Sequence, residues 1–86
     1  MILVTSKKFD RQFKKLPKKI QFQFEKRAAI FLKDEFDPLL NNHKFSGQYN
    51  DYRSINITGD YRLVYFKMSL EIIQLVAIGT HSEIYS

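Results

Sequence analysis

The 86-residue sequence predicts an α+β fold of order β-α-α-β-β-β, an N-terminal helical hairpin packed on one face of a four-stranded, mainly antiparallel sheet. Three observations carry this. Apolar residues recur at helical spacing through the first 36 positions, the period changes to two from Tyr52 onward, and two tight turns divide that second half. The chain reads as one domain spanning 1–86, because it is shorter than the usual length of a single domain.

Each element has its own signal. Ile2, Leu3 and Val4 form a short β-favouring run, and Thr5 and Ser6 are residue types that start helices. Phe9, Phe13 and Leu16 then follow at i, i+4 and i+7, with Lys7, Lys8, Arg11, Lys14 and Lys15 between them, which is an amphipathic helix. Pro17 cannot continue that helix, but it suits the first turn of the next, where its missing N–H would have no partner. The second helix carries Ile20, Phe24, Ala28, Phe31 and Leu32 on one stripe and ends near residues 34–36, before the Asp37-Pro38 turn.

Residues 37–51, DPLLNNHKFSGQYND, read as a structured loop. Strands follow at 52–58, 61–68 and 71–78, joined by turns at Gly59-Asp60 and Ser69-Leu70, and Gly79 is placed to break the last strand. Alternation puts Arg62, Val64 and Phe66 on one side of their strand and Tyr61, Leu63 and Tyr65 on the other. In the preceding strand Arg53, Ile55 and Ile57 oppose Tyr52, Ser54 and Asn56, but the sequence does not say which side the helices cover. Tyr52, Tyr61 and Tyr65 read as half-buried sheet residues, and Phe9, Phe13, Phe24 and Phe31 as core.

Composition limits the chemistry. Cysteine is absent, so a disulfide framework, a thiolate nucleophile and a Cys-ligated metal are all excluded. No apolar run nears the ~18 residues of a membrane span, and MILVTSKKFD reaches charge too soon for a secretory signal. A cytoplasmic protein without a membrane partner is the expectation. Residues 1–33 hold ten Lys/Arg against Asp10 and Glu25, whereas 34–86 hold four against seven acids, for a net charge of +5. A basic first third attracts a polyanion or an acidic protein, in a salt-sensitive way.

Two histidines stand out, His43 in the loop and His81 beyond Gly79, because imidazole exchanges protons near neutrality. Asp60, Arg62 and Tyr85 complete an informative set. No metal is expected: two histidines and scattered carboxylates form no local ligand motif. No nucleophile elbow surrounds Ser46, Ser54, Ser69 or Ser82, which argues against a serine hydrolase.

The ordered segments His43-Lys44-Phe45-Ser46-Gly47, Tyr52-Arg53-Ser54-Ile55, Gly59-Asp60-Tyr61-Arg62-Leu63-Val64-Tyr65 and Gly79-Thr80-His81-Ser82-Glu83-Ile84-Tyr85 resemble the RelE/ParE superfamily of bacterial toxins. Within it they are most similar to the YafQ-type and RelE-type messenger RNA interferases. Ser6-Lys7-Lys8-Phe9 and Lys15-Leu16-Pro17 extend the likeness over nearly the whole chain. The resemblance implies a RelE-like fold and the toxin of a type II toxin–antitoxin system. It implies an endoribonuclease that acts on messenger RNA in the ribosome, uses no cofactor, and is restrained by a cognate antitoxin. In the YafQ-like pattern the loop histidine matches His43, the aspartate before the third strand Asp60, the terminal histidine His81 and the final aromatic Tyr85. In the RelE-like pattern the strand arginine matches Arg62. A second strand histidine of the YafQ-like pattern is Asn56 here, whose amide can still donate hydrogen bonds.

Metal-free RNA cleavage needs a base for the 2′-hydroxyl, an acid for the departing 5′-oxygen and a cation for the charge developing on phosphorus. The resemblance then implies His81 as acid, His43 or Asp60 as base, and Arg62 with Lys44 and Arg53 as phosphate clamps, with Tyr85 against the nucleotide. Two readings from other classes compete. One is a ParE-like toxin that inhibits DNA gyrase without cutting nucleic acid, against which the joint presence of His43, Asp60, His81 and Tyr85 argues. The other is an inactive basic RNA-binding module, which composition satisfies equally well.

Overall fold

The computed structural model describes residues 1–45 and 51–85. Strand β1, Ile2–Thr5, lies parallel to the last strand, with Ile2 opposite Ile72 and Thr5 opposite Leu75. Ser6 ends it and starts helix α1, Lys7–Lys14: its Oγ accepts the Phe9 N–H at 3.0 Å and donates to the Val76 carbonyl at 2.9 Å. One hydroxyl thus caps the helix and ties it to the sheet. Helix α2, Lys18–Lys33, begins directly after Pro17, whose carbonyl accepts from Ile20 and Gln21. Gln21 returns its side-chain amide to the carbonyls of Phe13 and Leu16 at 3.0 and 3.2 Å, adding a donor to acceptors at the end of α1. The predicted helical hairpin is therefore present. Phe9, Phe13 and Phe24 form its aromatic contact, with ring centroids 5.2 to 5.7 Å apart. Leu32, placed on the apolar stripe by sequence, is instead exposed, because Phe31 takes the buried position and one residue on a helix is a rotation of about 100°.

The segment read as a loop contains more order than expected. Asp37 accepts the Leu39 N–H at 2.9 Å and starts a 3₁₀ turn, Pro38–Leu40, which buries Leu40 completely. Asn41 reverses the chain in the left-handed region, φ 48°, which Asn tolerates. A two-residue strand follows, β2, His43–Lys44, pairing antiparallel with Arg53 and Ser54. The sheet therefore has five strands where four were predicted. The rest of the predicted loop through Asn50, with Ser46 and Gly47 of the family-like segment, lies outside the described residues.

Strands β3, Tyr52–Asn56, β4, Tyr61–Lys67, and β5, Ile72–Thr80, form the antiparallel meander. The sheet order is β1-β5-β4-β3-β2, mainly antiparallel as expected, with β1 the parallel exception. Gly79 does not break β5. It remains paired opposite Arg62, and the strand runs on to Thr80. Between Val64 and Tyr65 the register shifts so that Val76 has no opposite residue, a bulge that increases local twist.

The helices cover the face bearing Ile55, Ile57, Leu63, Tyr65, Ile73 and Leu75, which with Phe9, Phe31 and Leu40 make the core. Tyr65 is wholly buried rather than half-buried. Its hydroxyl donates to Glu35 Oε2 at 2.6 Å and accepts from Asn42 Nδ2 at 2.7 Å; Glu35 Oε1 meets Lys67 Nζ at 2.7 Å. Burial, and next the bond to Glu35, push the Tyr65 phenol well above its ordinary range. Ser54, Asn56, Arg62, Val64 and Gly79 face the other way, and the function-bearing groups gather on that side.

Candidate active site

His43 reaches this second face because β2 alternates. Its register partner is Ser54, so the ring lies on the side opposite the helices, whereas Lys44 pairs with Arg53 and belongs to the other side. His43 Nδ1 lies 2.9 Å from the Asn41 carbonyl. A carbonyl only accepts, so Nδ1 carries the hydrogen and Nε2 holds the lone pair of the neutral ring. Nε2 faces the Tyr85 hydroxyl at 3.4 Å.

Tyr85 and His81 come from helix α3, His81–Tyr85, a single turn that leaves the end of β5. Their spacing of four residues puts them on one side of that turn, with ring centroids 4.5 Å apart. Tyr85 also stacks on Phe45 at 4.7 Å, 19° from parallel. The His81 N–H donates to the Asp60 carbonyl at 2.9 Å, so the β3–β4 turn and the start of α3 are joined directly. At the N-terminus of α3 the Glu83 carboxylate accepts from the Thr80 N–H at 2.8 Å and the Thr80 hydroxyl at 3.0 Å. Those bonds, the backbone one first, hold its carboxyl below the usual range.

Arg62 stands at the same end, paired with Asn56 on one side and Gly79 on the other. Its Nη1 donates to the carbonyls of Thr58, Gly59 and Tyr61 at 3.1 to 3.2 Å, fixing the guanidinium against the turn. Nε and Nη2 have no hydrogen-bond partner among the described residues, which leaves one edge of the planar fork to meet an anion. Asp60 is exposed beside it, and its carboxylate makes no hydrogen bond or ion pair among the described residues. On the same face Ser54 Oγ and Asn56 Oδ1 are buried without a partner among the described residues.

The structure thus brings together His43, His81 and Tyr85 by side chain, and Asp60, Arg62 and Asn56 by register and by the Asp60–His81 bond. Arg53 and Lys44 do not join them. Arg53 lies on the helix-covered face, where Nε donates to Asn42 Oδ1 at 2.7 Å and the guanidinium sits 5.2 Å above the Phe36 ring. Its charge therefore supports the Glu35–Tyr65–Asn42 network rather than the His43 face. Phe45, quoted in the family-like segment but given no role, is the base of the aromatic stack, and its separation by two from His43 was the available signal. A cavity of about 440 Å³ opens beside this stack, between α1 and α3, with Lys8, Gln12, Val64, Val76 and Tyr85 in its wall.

Two helices on one face of a five-stranded, mainly antiparallel sheet are the fold of RelE/ParE superfamily toxins. The chain belongs to the YafQ family within that superfamily: the family described as "Bacterial toxin of type II toxin-antitoxin system, YafQ" matches residues 1–86. Among solved structures, YafQ from E. coli strain BL21(DE3) superimposes with TM-score 0.82 at 15% identity, covering 99% of this chain and 98% of that one. The YoeB/ParE toxin from Agrobacterium tumefaciens gives TM-score 0.79 at 18% identity, covering 94% of this chain and 99% of that one. A metal-bound toxin from Helicobacter pylori gives TM-score 0.70 at 29% identity, covering 95% and 96%. E. coli YafQ has also been solved in a DinJ–YafQ toxin–antitoxin complex, similar to this chain with TM-score 0.81 at 16% identity over 99% of this chain and 97% of that one. No curated protein matches. Among the described residues no helix is long and apolar enough to cross a membrane.

Proposed function

We propose that this toxin is a ribosome-dependent endoribonuclease that cuts translated messenger RNA by metal-independent acid–base attack of the 2′-hydroxyl, and that a cognate antitoxin restrains it in the cytoplasm. The observation that carries the reading is the meeting of His43 and His81 around Tyr85, two proton-exchanging rings from positions far apart in the chain on the face that also bears Arg62. His43 is the base, because Nε2 is the nitrogen with the lone pair and it faces outward to Tyr85, whereas Asp60 serves by holding the turn against His81. His43 takes the 2′-hydroxyl proton, the oxygen attacks the adjacent phosphorus in line, and His81 protonates the departing 5′-oxygen. Arg62 meets the charge that develops on the phosphoryl oxygens, and Tyr85 with Phe45 offers a ring surface to the displaced base. Asn56, paired with Arg62, supports that side of the phosphate.

The surroundings are consistent with this reading. Lys7, Lys8, Arg11 and Lys14 are exposed on α1 and Lys15 directly after it, a surface suited to ribosomal RNA. The same surface suits an acidic partner that folds on binding, and the DinJ–YafQ complex makes a protein antitoxin the natural partner class.

The test is to map cut sites in cellular transcripts after brief induction of wild type and His81→Ala. The wild type is expected to cut translated messages and arrest growth, and His81→Ala is expected to lose about 10² to 10⁴ in rate while keeping its fold. A fully toxic His81→Ala protein, or supercoiling defects and double-strand DNA breaks with messages intact, would overturn the proposal in favour of another mechanism.

A further inference from the structure

A carboxylate two residues from the proposed general acid is unfavourable in a site that must receive a polyanion, unless its charge is already engaged. Glu83 is such a group. Thr80 immediately precedes α3, its Oγ1 accepts the Glu83 N–H at 3.3 Å, and Glu83 Oε1 returns to the Thr80 N–H and hydroxyl. This is a reciprocal cap in which each residue satisfies the other's open donor. The helix it closes is five residues long, far below the length at which a helix persists unaided. Its other ties include the His81 N–H to the Asp60 carbonyl, the Tyr85 stack on Phe45 and the Tyr85 hydroxyl beside His43, and the cap adds to them a constraint at the N-terminus of the turn that carries both functional rings. Gly79 leaves room for it. A Cβ at that position would lie 3.0 Å from Glu83 Oε1, tighter than most such contacts, so the oxygen that Thr80 binds would have to shift by a few tenths of an ångström.

We infer that Glu83 is a positioning residue of this toxin: by bonding back to Thr80 across the space left by Gly79 it fixes the α3 turn, and so sets the separation of His81 and Tyr85 from His43. The inference rests on the proposed RNA-cleaving role of those rings. The charge of Glu83 is not itself used in the reaction; its acceptor oxygen is.

Glu83→Gln keeps a side-chain carbonyl for the Thr80 N–H and removes the charge, Glu83→Ala removes both, and Gly79→Ala disturbs the same bond from the strand side. Two readouts separate the clamp from the nuclease reading. In ¹H–¹⁵N and aromatic NMR of the free protein, Glu83→Ala and Gly79→Ala are expected to shift the Thr80 amide and to average the His81 and Tyr85 ring signals, with β3, β4 and β5 unchanged. Glu83→Gln is expected to restore the wild-type pattern. In cleavage of message on programmed ribosomes at saturation, the two alanine variants are expected to lose about three- to thirty-fold in turnover, the population effect of removing a cap, and Glu83→Gln less than about threefold. An unchanged α3 in Glu83→Ala would overturn the inference, as would Glu83→Gln turning over as slowly as Glu83→Ala with α3 intact. If wild type itself cuts no RNA, the nuclease reading fails, and the NMR comparison still decides whether Glu83 holds the turn.

Discussion

Arg53 and Arg62 occupy neighbouring strands of one sheet, yet they have separate work. Arg62 belongs to the His43 face with an edge of its guanidinium open, whereas Arg53 is bonded to Asn42 over Phe36. Arg62→Ala is therefore expected to slow cleavage about 10²-fold, as loss of a group aimed at developing charge does, with little change in unfolding midpoint. Arg53→Ala is expected to do the reverse, lowering stability by about 1 kcal/mol with turnover retained, which paired denaturant titrations and cleavage assays can read. Alternation was legible within each strand, but by resemblance both arginines group as phosphate clamps; only the β3–β4 register, which pairs Arg53 with Tyr65 and Arg62 with Asn56, separates them, and the packing of the helices decides which side is open. Tyr65 was similarly ambiguous. Its burial follows from contact with Phe31, rings 4.9 Å apart, and its hydroxyl is accommodated by Glu35 and Asn42, residues that no local pattern links. Because the folded phenol titrates above its unfolded value, Tyr65 contributes stability that is complete below about pH 10 and is lost as pH rises beyond it. Tyr65→Phe should lower stability by about 1 to 3 kcal/mol at neutral pH, since it removes a donor from a buried carboxylate, and should flatten the alkaline fall. A Tyr65→Phe unfolding curve identical to wild type at pH 7 would contradict this account of the Glu35 network.

Among the elements, those with long periodic patterns were the legible ones. The Phe9–Phe13 and Ile20–Phe24–Phe31 spacings give the two helices, and the Gly59-Asp60 and Ser69-Leu70 turns give the meander, all within a few residues. Short elements were not legible in this way. Strand β2 has two residues and no period to read, and it forms because the Pro38–Leu40 turn and the left-handed Asn41 deliver His43 to the edge of β3. Gly79 illustrates the opposite error. A glycine suggests the end of a strand, but here it stays in the ladder opposite Arg62, and its missing Cβ leaves space for the Glu83 side chain. The helix junction allows a quantitative test. Gln21→Ala removes a donor from each of the carbonyls of Phe13 and Leu16 and is expected to cost about 1 kcal/mol of unfolding free energy, with cleavage retained because the Gln21 side chain serves the α1–α2 junction.

For the molecule as a whole, charge and chemistry are divided between the two layers. The first third supplies a cationic exterior, with Lys7, Lys8, Arg11, Lys14, Lys15, Lys18 and Lys19 all exposed, while the reactive groups come from His43 onward. Composition revealed the charge and its bias. It did not reveal that the chain's last turn folds back over the sheet so that Tyr85 meets His43, a contact across 42 positions that only tertiary structure creates. Binding to ribosomes should weaken linearly in log K against log salt, with a slope that falls as α1 lysines are replaced by Gln; a salt-independent affinity would show that these charges are only a solvated face. The central claim is that imidazoles move protons while the message's own 2′-hydroxyl breaks its backbone. It is tested most directly with a programmed ribosome carrying a message 2′-deoxy at the cut nucleotide. The account predicts that the ribose message is cut to a 2′,3′-cyclic phosphate and a 5′-hydroxyl while the deoxy message stays whole. Cleavage of the deoxy message, or 5′-phosphate ends on the ribose one, would contradict it.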